Sequence, residues 1–200
     1  MDKLEKTIEL FRKLPGIGPR QARRIVNVLL NNKPLAKSLS LEIDDLDQVV
    51  VKCLDCHRFF AKNHGGSVCK ICNNKERDTS FLMVVERDSD LDSVEKSGVY
   101  KGLYFVLDGV IPILSKDPEK LINFNLLQKR VSNNPPTEII LALSATPEGE
   151  NTIDYIIENL KSEIKNQGIK VTVLGRGLST GTELEYADSE TLKGALQNRH

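Results

Sequence analysis

The stretch CLDCHRFFAKNHGGSVCKIC, residues 53–72, holds all four cysteines of this 200-residue chain. Cys53 and Cys56 form one C-x-x-C pair and Cys69 and Cys72 a second, with twelve residues between them. Two thiolates two residues apart on a tight turn grip one side of a cation, and a second pair completes the tetrahedron that Zn²⁺ takes in structural sites. His64, Gly65 and Gly66 suit a loop that bends back on itself. A disulfide pair, a redox dithiol and an Fe–S cluster are the alternatives, and the doubled pair ranks structural zinc above them. His57 and His64 could substitute as ligands. Four cysteines already fill the site, so both read as solvated loop residues.

Upstream, Leu4, Ile8 and Phe11 fall at i, i+4 and i+7, so the spacing predicts an amphipathic helix over 3–13. It stops at Leu14-Pro15-Gly16-Ile17-Gly18-Pro19, where the prolines cannot continue a helix and the glycines permit positive φ. A second helix starts near Pro19, with Ala22, Ile25 and Leu29 on its apolar face. The result is helix, tight Gly-x-Gly turn, helix. Such a turn points backbone N–H groups outward where a phosphate can approach closely and the helix dipole favours it. Arg20, Arg23 and Arg24 follow at once, with Arg20 and Arg24 on one face. This constellation points to the DNA backbone, contacted without regard to sequence. The bland alternative is a helical hairpin with a solvated basic face. Residues 35–52 read as a polar, acidic connector, its acids a solvated helix face rather than a metal site.

Downstream the pattern changes. Strands are expected at Phe81–Glu86, Leu103–Leu107, Glu138–Leu143 and Lys170–Leu174. Helices are expected over 88–97, 118–131, 149–166 and 189–197. Unbroken apolar strands alternating with helices mean a parallel sheet covered on both faces, whose ligand site lies at the strands' carboxyl ends. Acids gather there: Glu86, Asp88 and Asp90 after the first strand, Glu148 and Glu150 after the third. They could jointly hold Mg²⁺ for phosphodiester chemistry, or merely complement helix dipoles. Tyr100, Tyr104, Tyr155 and Tyr186 read as packing residues rather than nucleophiles.

Composition agrees: 40% hydrophobic and 28% charged residues describe a globular protein, and Lys+Arg and Asp+Glu balance at 28 each. The distribution is uneven. Residues 1–34 carry +5, residues 35–49 carry −3, residues 50–80 carry +3, and the remainder −5. That asymmetry suggests anion binding at the front. The longest apolar runs are too short to span a bilayer, no signal sequence is evident, and thiols placed for metal imply a reducing cytoplasm.

The runs LPGIGPRQARR (14–24), CLDC, CKIC, VVERDSDLDSVEKSGVYKGLYFVL (84–107), PEGENTIDYI (147–156) and GTELEYADSETLKGAL (181–196) resemble the RecR family of bacterial recombination mediators. The resemblance covers nearly the whole chain. It implies a multi-module α/β protein: a helix-hairpin-helix DNA-binding region over 1–52, a Cys₄ zinc motif over 53–78, a Toprim domain with a parallel sheet over 79–175, and a C-terminal arm over 176–200. It implies DNA contacts at Gly16, Gly18, Arg20 and Arg24, to which the residue reading adds Arg23. It implies zinc at Cys53, Cys56, Cys69 and Cys72, and Toprim acids at Glu86, Asp90, Glu148 and Glu150 serving partner binding rather than strand cleavage. The implied role is non-catalytic DNA binding, single- and double-stranded, by a homo-oligomeric ring (tetramer or dimer). The ring works with RecO and RecF to load RecA on gapped single strands. A Mg²⁺-dependent Toprim nuclease or primase-like enzyme is the other reading; the Glu148-x-Glu150 pair, where such enzymes have Asp-x-Asp, counts against it. The chain departs from the usual family pattern at Phe105, at Ile111–Ser115, at Val173 and at Ser179, positions expected on loops near a sheet edge.

Overall fold

The computed structural model describes residues 2–62, 66–175, 177–178, 181 and 183–197, the side chains of Glu190 and Gln197 excepted. His64, Gly65 and Ser179 lie outside the described residues. The chain divides into two compact units, Met1–Val51 and Lys52–His200.

The first unit is helical. In α1 (Lys3–Arg12) the Asp2 side chain accepts the Glu5 N–H at 2.8 Å and caps the first turn. In α2 (Pro19–Asn31) Pro19 takes the first helical position, where its missing N–H costs nothing. The buried face of α2 is Ala22 and Val26, which pack on Ile8 of α1, with Phe11 and Ile17 at the margin. Ile25 and Leu29, expected on that face, are half-buried at its edges.

The expected connector over 35–52 is instead mostly a third helix, α3 (Lys33–Val49). Asn32 accepts the Leu35 N–H at 3.1 Å and Pro34 sits in the first turn, so α3 has a well-made start. It buries no residue. Its helicity therefore comes from local propensity and its cap, and the acids of 42–47 lie on a solvated helix as expected.

Next along the chain a two-stranded sheet of β1 (Val50–Lys52) and β2 (Phe59–Ala61) frames the cysteine loop. Then come β3 (Asp78–Val85), α4 (Asp88–Ser97), β4 (Gly102–Val106), a 3₁₀ turn at Pro118–Lys120, α5 (Phe124–Asn133), β5 (Glu138–Ala142), α6 (Pro147–Asn159), α7 (Lys161–Gln167), β6 (Lys170–Val173) and α8 (Ser189–Gln197). The four longer strands form one parallel sheet in the order β4-β3-β5-β6. Side chains alternate across it. Leu82, Val84, Phe105, Ile139 and Leu141 face α5 and α6, where Leu127, Val131, Ile153 and Ile156 complete the larger core. Met83, Val85, Tyr104 and Val106 face Leu91 of α4 on the other side.

Two expected helices are interrupted. The segment 118–131 opens as the 3₁₀ turn and restarts at Phe124, after Asn123 donates its backbone N–H to the Leu107 carbonyl at 2.8 Å. The segment 149–166 bends at the buried Leu160, yet Leu160 N–H still reaches the Ile156 carbonyl and Ile164 N–H the Leu160 carbonyl, both at 2.9 Å. Phe105 and Val173 were expected both within strands over 103–107 and 170–174 and, as departures from the family pattern, on loops near a sheet edge; the strand expectation holds. They lie in β4 and β6, the two edge strands, and Phe105 is fully buried against the edge of the His57 ring. Of the four tyrosines, Tyr100, Tyr104 and Tyr155 make edge-on ring contacts, whereas Tyr186 is 77% exposed and packs nothing away.

Candidate functional site

The four sulfurs converge: all lie within 4.8 Å of one another, with Cys53, Cys56 and Cys69 buried and Cys72 half-buried. Two equivalent turns deliver them. The Cys53 carbonyl accepts the His57 N–H and the Cys69 carbonyl accepts the Asn73 N–H, each at 3.0 Å. Cys56 and Cys69 sulfurs stand 3.6 Å apart. That is far beyond a disulfide and close to the edge of about 3.8 Å that four Zn–S bonds of about 2.3 Å impose on a tetrahedron.

Hydrogen bonding within the quartet splits the thiols. It pulls Cys53 below the ordinary thiol range, with Cys56 the largest cause. It pushes Cys56 and Cys72 above that range, the bond to Cys53 leading in both. At Cys69 the raising effect of Cys53 is outweighed by Cys56 and Cys72, which bring it to about 7. Four sulfurs this close become anionic together only around a cation, so the donor set fits a thiophilic divalent metal. Among the described residues no other set of three or more His, Cys, Asp or Glu side chains converges in this way.

The cysteine loop is fastened to the parallel sheet. Val106 N–H, at the end of β4, donates to the Cys56 carbonyl at 2.8 Å. Arg58 pairs with Asp92 of α4 at 2.9 Å, Lys52 with Asp108 at 2.6 Å, and the Phe59 N–H donates to Asp88 Oδ2 at 3.1 Å. Arg77 forms a two-pronged ion pair with Glu95, whose Oε1 also accepts from the Tyr104 hydroxyl at 2.7 Å. Three of the six basic residues of the 50–80 region are thus committed to internal acids. The positive balance of that region is partly an attachment to the α/β layer rather than an outward-facing charge.

The acids at the strand ends are also engaged. Glu86 is buried; its Oε2 accepts the Ser144 hydroxyl and its Oε1 pairs with Arg87, both at 2.8 Å. Asp90 accepts the Arg87 N–H at 2.9 Å and caps α4. Burial raises the Asp88 carboxyl above its usual range, against the bond from Phe59 N–H. Glu148 and Glu150 sit in the first turn of α6, where carboxylates complement the helix dipole. The structure therefore does not gather Glu86, Asp90, Glu148 and Glu150 into a metal-binding set. Asp88 as a latch for the cysteine loop was missed by sequence reasoning, because its partner is a backbone N–H 29 residues away.

In the helical unit, Gly16 and Gly18 are both exposed, and they differ. Gly16 adopts φ +77°, a left-handed turn that disfavours a Cβ. Gly18 is extended at φ −78°, and a Cβ there would meet nothing within 4 Å. Its N–H, expected to point outward, is taken by Gln21 Oε1 at 3.2 Å. Arg23 reaches Glu5 at 3.4 Å, while Arg20 and Arg24 make no ion pair among the described residues. The fold thus needs glycine at 16 and tolerates a side chain at 18. Gly16→Ala is expected to cost about 1 kcal/mol in chemical unfolding of the helical unit, and Gly18→Ala to leave that stability within about 0.5 kcal/mol.

A Toprim domain profile matches residues 80–175, and a RecR C-terminal profile matches residues 177–200. Curated relatives align over almost the entire chain. The recombination protein RecR of Lactobacillus acidophilus is 39% identical over 194 residues, covering 96% of this chain and 94% of the relative. The chain belongs to the RecR family. The RecR of Bacteroides thetaiotaomicron is 40% identical over 198 residues, covering 98% and 92%, and that of Pelagibacter ubique 37% over 200 residues, covering 100% and 95%. In RecR terms, the parallel sheet with α4 to α7 is the Toprim domain, and the cysteine quartet immediately precedes it. No helix among the described residues is long and apolar enough to cross a membrane.

Proposed function

We propose that this chain is a non-catalytic, DNA-binding recombination mediator that acts in the cytoplasm. It grips the DNA backbone through the α1–α2 hairpin and carries a structural zinc on Cys53, Cys56, Cys69 and Cys72. The observation that carries the reading is the start of α2. Arg20 and Arg24 stand exposed beside a glycine turn that leaves room for an external group at Gly18, on a helix that contains no acid. A phosphate approaching there meets two unpaired guanidiniums and the positive end of α2. Base identity plays no part in such a contact, and single and double strands both present phosphates, so both are expected ligands. Membership of the RecR family supports the rest of the reading: assembly into a ring-like homo-oligomer and cooperation with RecO and RecF in loading RecA on gapped strands. Residues 1–52, 53–78, 79–175 and 176–200 then serve as DNA-binding region, zinc motif, Toprim domain and arm.

The arrangement of the acids supports a non-catalytic Toprim domain. Glu86 is bonded to Ser144 and Arg87, and Asp90 to a helix N-terminus, so neither is directed to a shared Mg²⁺. Glu148, half-buried, and Glu150, exposed, sit in the first turn of α6, where carboxylates complement the helix dipole.

The test is the double variant Arg20→Ala, Arg24→Ala, titrated with labelled DNA by fluorescence anisotropy across a salt series. Removing two phosphate contacts should weaken binding by about 50-fold near physiological salt. It should also lower the slope of log K against log salt by about 1.8. Unchanged binding would remove the hairpin from the DNA interface. In the same samples Mg²⁺ should leave every strand intact. Cutting or extension that depends on the protein and vanishes in Glu86→Gln would overturn the non-catalytic reading.

A further inference from the structure

Arg20 and Arg24 stand at one end of a longer feature. They share an open groove of 560 Å³ with Arg23, Asn27, Asn31, Asn32 and the exposed Val28. Arg20, Arg24, Asn27 and Asn31 fall at i, i+4, i+7 and i+11, a single stripe about 16 Å long. The stripe lies on the side of α2 opposite the buried Ala22 and Val26, and every member is exposed. Residues 18–33 contain neither an acidic nor an aromatic side chain.

We infer that Asn27 and Asn31 continue the DNA-backbone track begun by Arg20 and Arg24, binding further phosphates of the same strand through their side-chain amides. This rests on the DNA-backbone reading proposed above. The chemistry of the groove favours it. An amide N–H donates to a phosphate oxygen without requiring a base. The Asn27 side chain has no hydrogen-bond partner among the described residues. Asn31 donates one amide hydrogen to the Asn27 carbonyl at 2.8 Å, which holds its head group against the helix wall and leaves a second hydrogen for an external acceptor. The negative end of α2 would oppose a phosphate at Asn31, but there α3 begins, with its own positive end and with Lys33 as its first residue. With no aromatic ring in the groove, the usual platform for base stacking is absent, which favours contact with the backbone.

The experiment compares the full-length parent, Asn27→Ala/Asn31→Ala and Arg20→Ala/Arg24→Ala for binding to labelled single-stranded and duplex DNA over a salt series. Alanine is the better helix former, so α2 persists in the asparagine variant. Two lost neutral donors should weaken binding about tenfold on both DNA forms. The salt slope should stay at the parental value, because amides displace no counterions. The arginine variant should instead flatten the slope. Asparagine-variant affinity within twofold of the parent, beside an impaired arginine variant, overturns this inference and leaves the hairpin reading standing. Parental binding by the arginine variant overturns both.

Discussion

Replacing Cys56 with Ser will release the metal from the sulfur site and loosen the chain around it. Cys56 is fully buried and its sulfur lies 3.6 Å from that of Cys69. A serine hydroxyl stays protonated at neutral pH and offers a poor fourth ligand. The released ion leaves three thiols that share too little apolar surface to stay packed. The cluster around them consists of three buried cysteines with Phe60, Val68 and Ile71 at its margin. On the zinc reading proposed above, metal coordination would be the dominant stabilising term for a loop with so small a core, as in zinc-finger peptides, which are unfolded without their ion. The loss also reaches the α/β layer, since the loop supplies the Cys56 carbonyl to Val106, Arg58 to Asp92 and the Phe59 N–H to Asp88. Each released partner at the end of β4 and the start of α4 then turns to solvent or is left unpaired. We expect zinc content to fall from about one per chain to below about 0.2, with a destabilisation on the order of 5 kcal/mol. A chelator acting on the parent protein should do the same reversibly, with Zn²⁺ and not Mg²⁺ restoring the fold. A Cys56→Ser protein that keeps one tightly held zinc and unfolds like the parent contradicts the assignment.

What the sequence disclosed, and what it withheld, follows from how far apart the interacting residues lie. The strands at 81–85 and 103–106 were legible because a strand buried on both faces must be apolar at every position. The start of β3 at Asp78 was not, because Asp78, Thr79 and Ser80 are polar and only pairing with β4 and β5 marks them as strand. The cysteine spacing disclosed the sulfur cluster, since its members come in sequence-local pairs. The helix α3 was signalled by Leu35, Leu39, Ile43 and Leu46 at helical spacing, and the reading of 35–52 as a connector followed the acids instead; those four side chains are 39–62% exposed, so burial does not mark the stripe. Charge arithmetic was right in sum and incomplete in meaning. The pairs Lys52–Asp108, Arg58–Asp92 and Arg77–Glu95 join residues 56, 34 and 18 positions apart, and no local window reveals them. The outward N–H of Gly18 was likewise a fair inference from the turn, overturned by a Gln21 side chain that reaches back one helical turn. Gln21 thereby caps the first turn of α2.

Gly149→Ala will strongly destabilise the α/β unit, because the nearest atoms it would meet are main chain. Gly149 is buried in the first turn of α6, and its N–H is received by the Thr146 hydroxyl at 3.1 Å. Its backbone is helical, so flexibility is not the reason for glycine. Space is: an added Cβ would stand 1.9 Å from the Ser144 carbonyl oxygen and 2.9 Å from its carbon. Main chain cannot rotate away as a side chain can, so the start of α6 must lift from the end of β5. That movement endangers the Thr146 cap, the Ser144 hydroxyl on Glu86 at 2.8 Å, and the buried bond from Ile111 N–H to Thr152 Oγ1 at 2.8 Å. Overpacking of about 1–3 kcal/mol, with a cap of about 1 kcal/mol and a buried hydrogen bond of similar size, gives a loss of about 4 kcal/mol. For a unit of this size the thermal midpoint should drop by about 12 °C. Circular dichroism on the full chain measures it, with Gly18→Ala, where a Cβ meets nothing, as the silent control. The cause is separable from a side-chain clash, because Ser144 Oγ would lie only 3.2 Å from the new carbon. Ser144→Ala removes that oxygen and leaves the carbonyl in place. Because Ser144→Ala also removes the bond to Glu86, the single Ser144→Ala variant is the reference. A double variant with the same midpoint as that single variant would assign the clash to the hydroxyl, and one that melts about 12 °C below it assigns the clash to the backbone and requires a glycine in the first turn of α6.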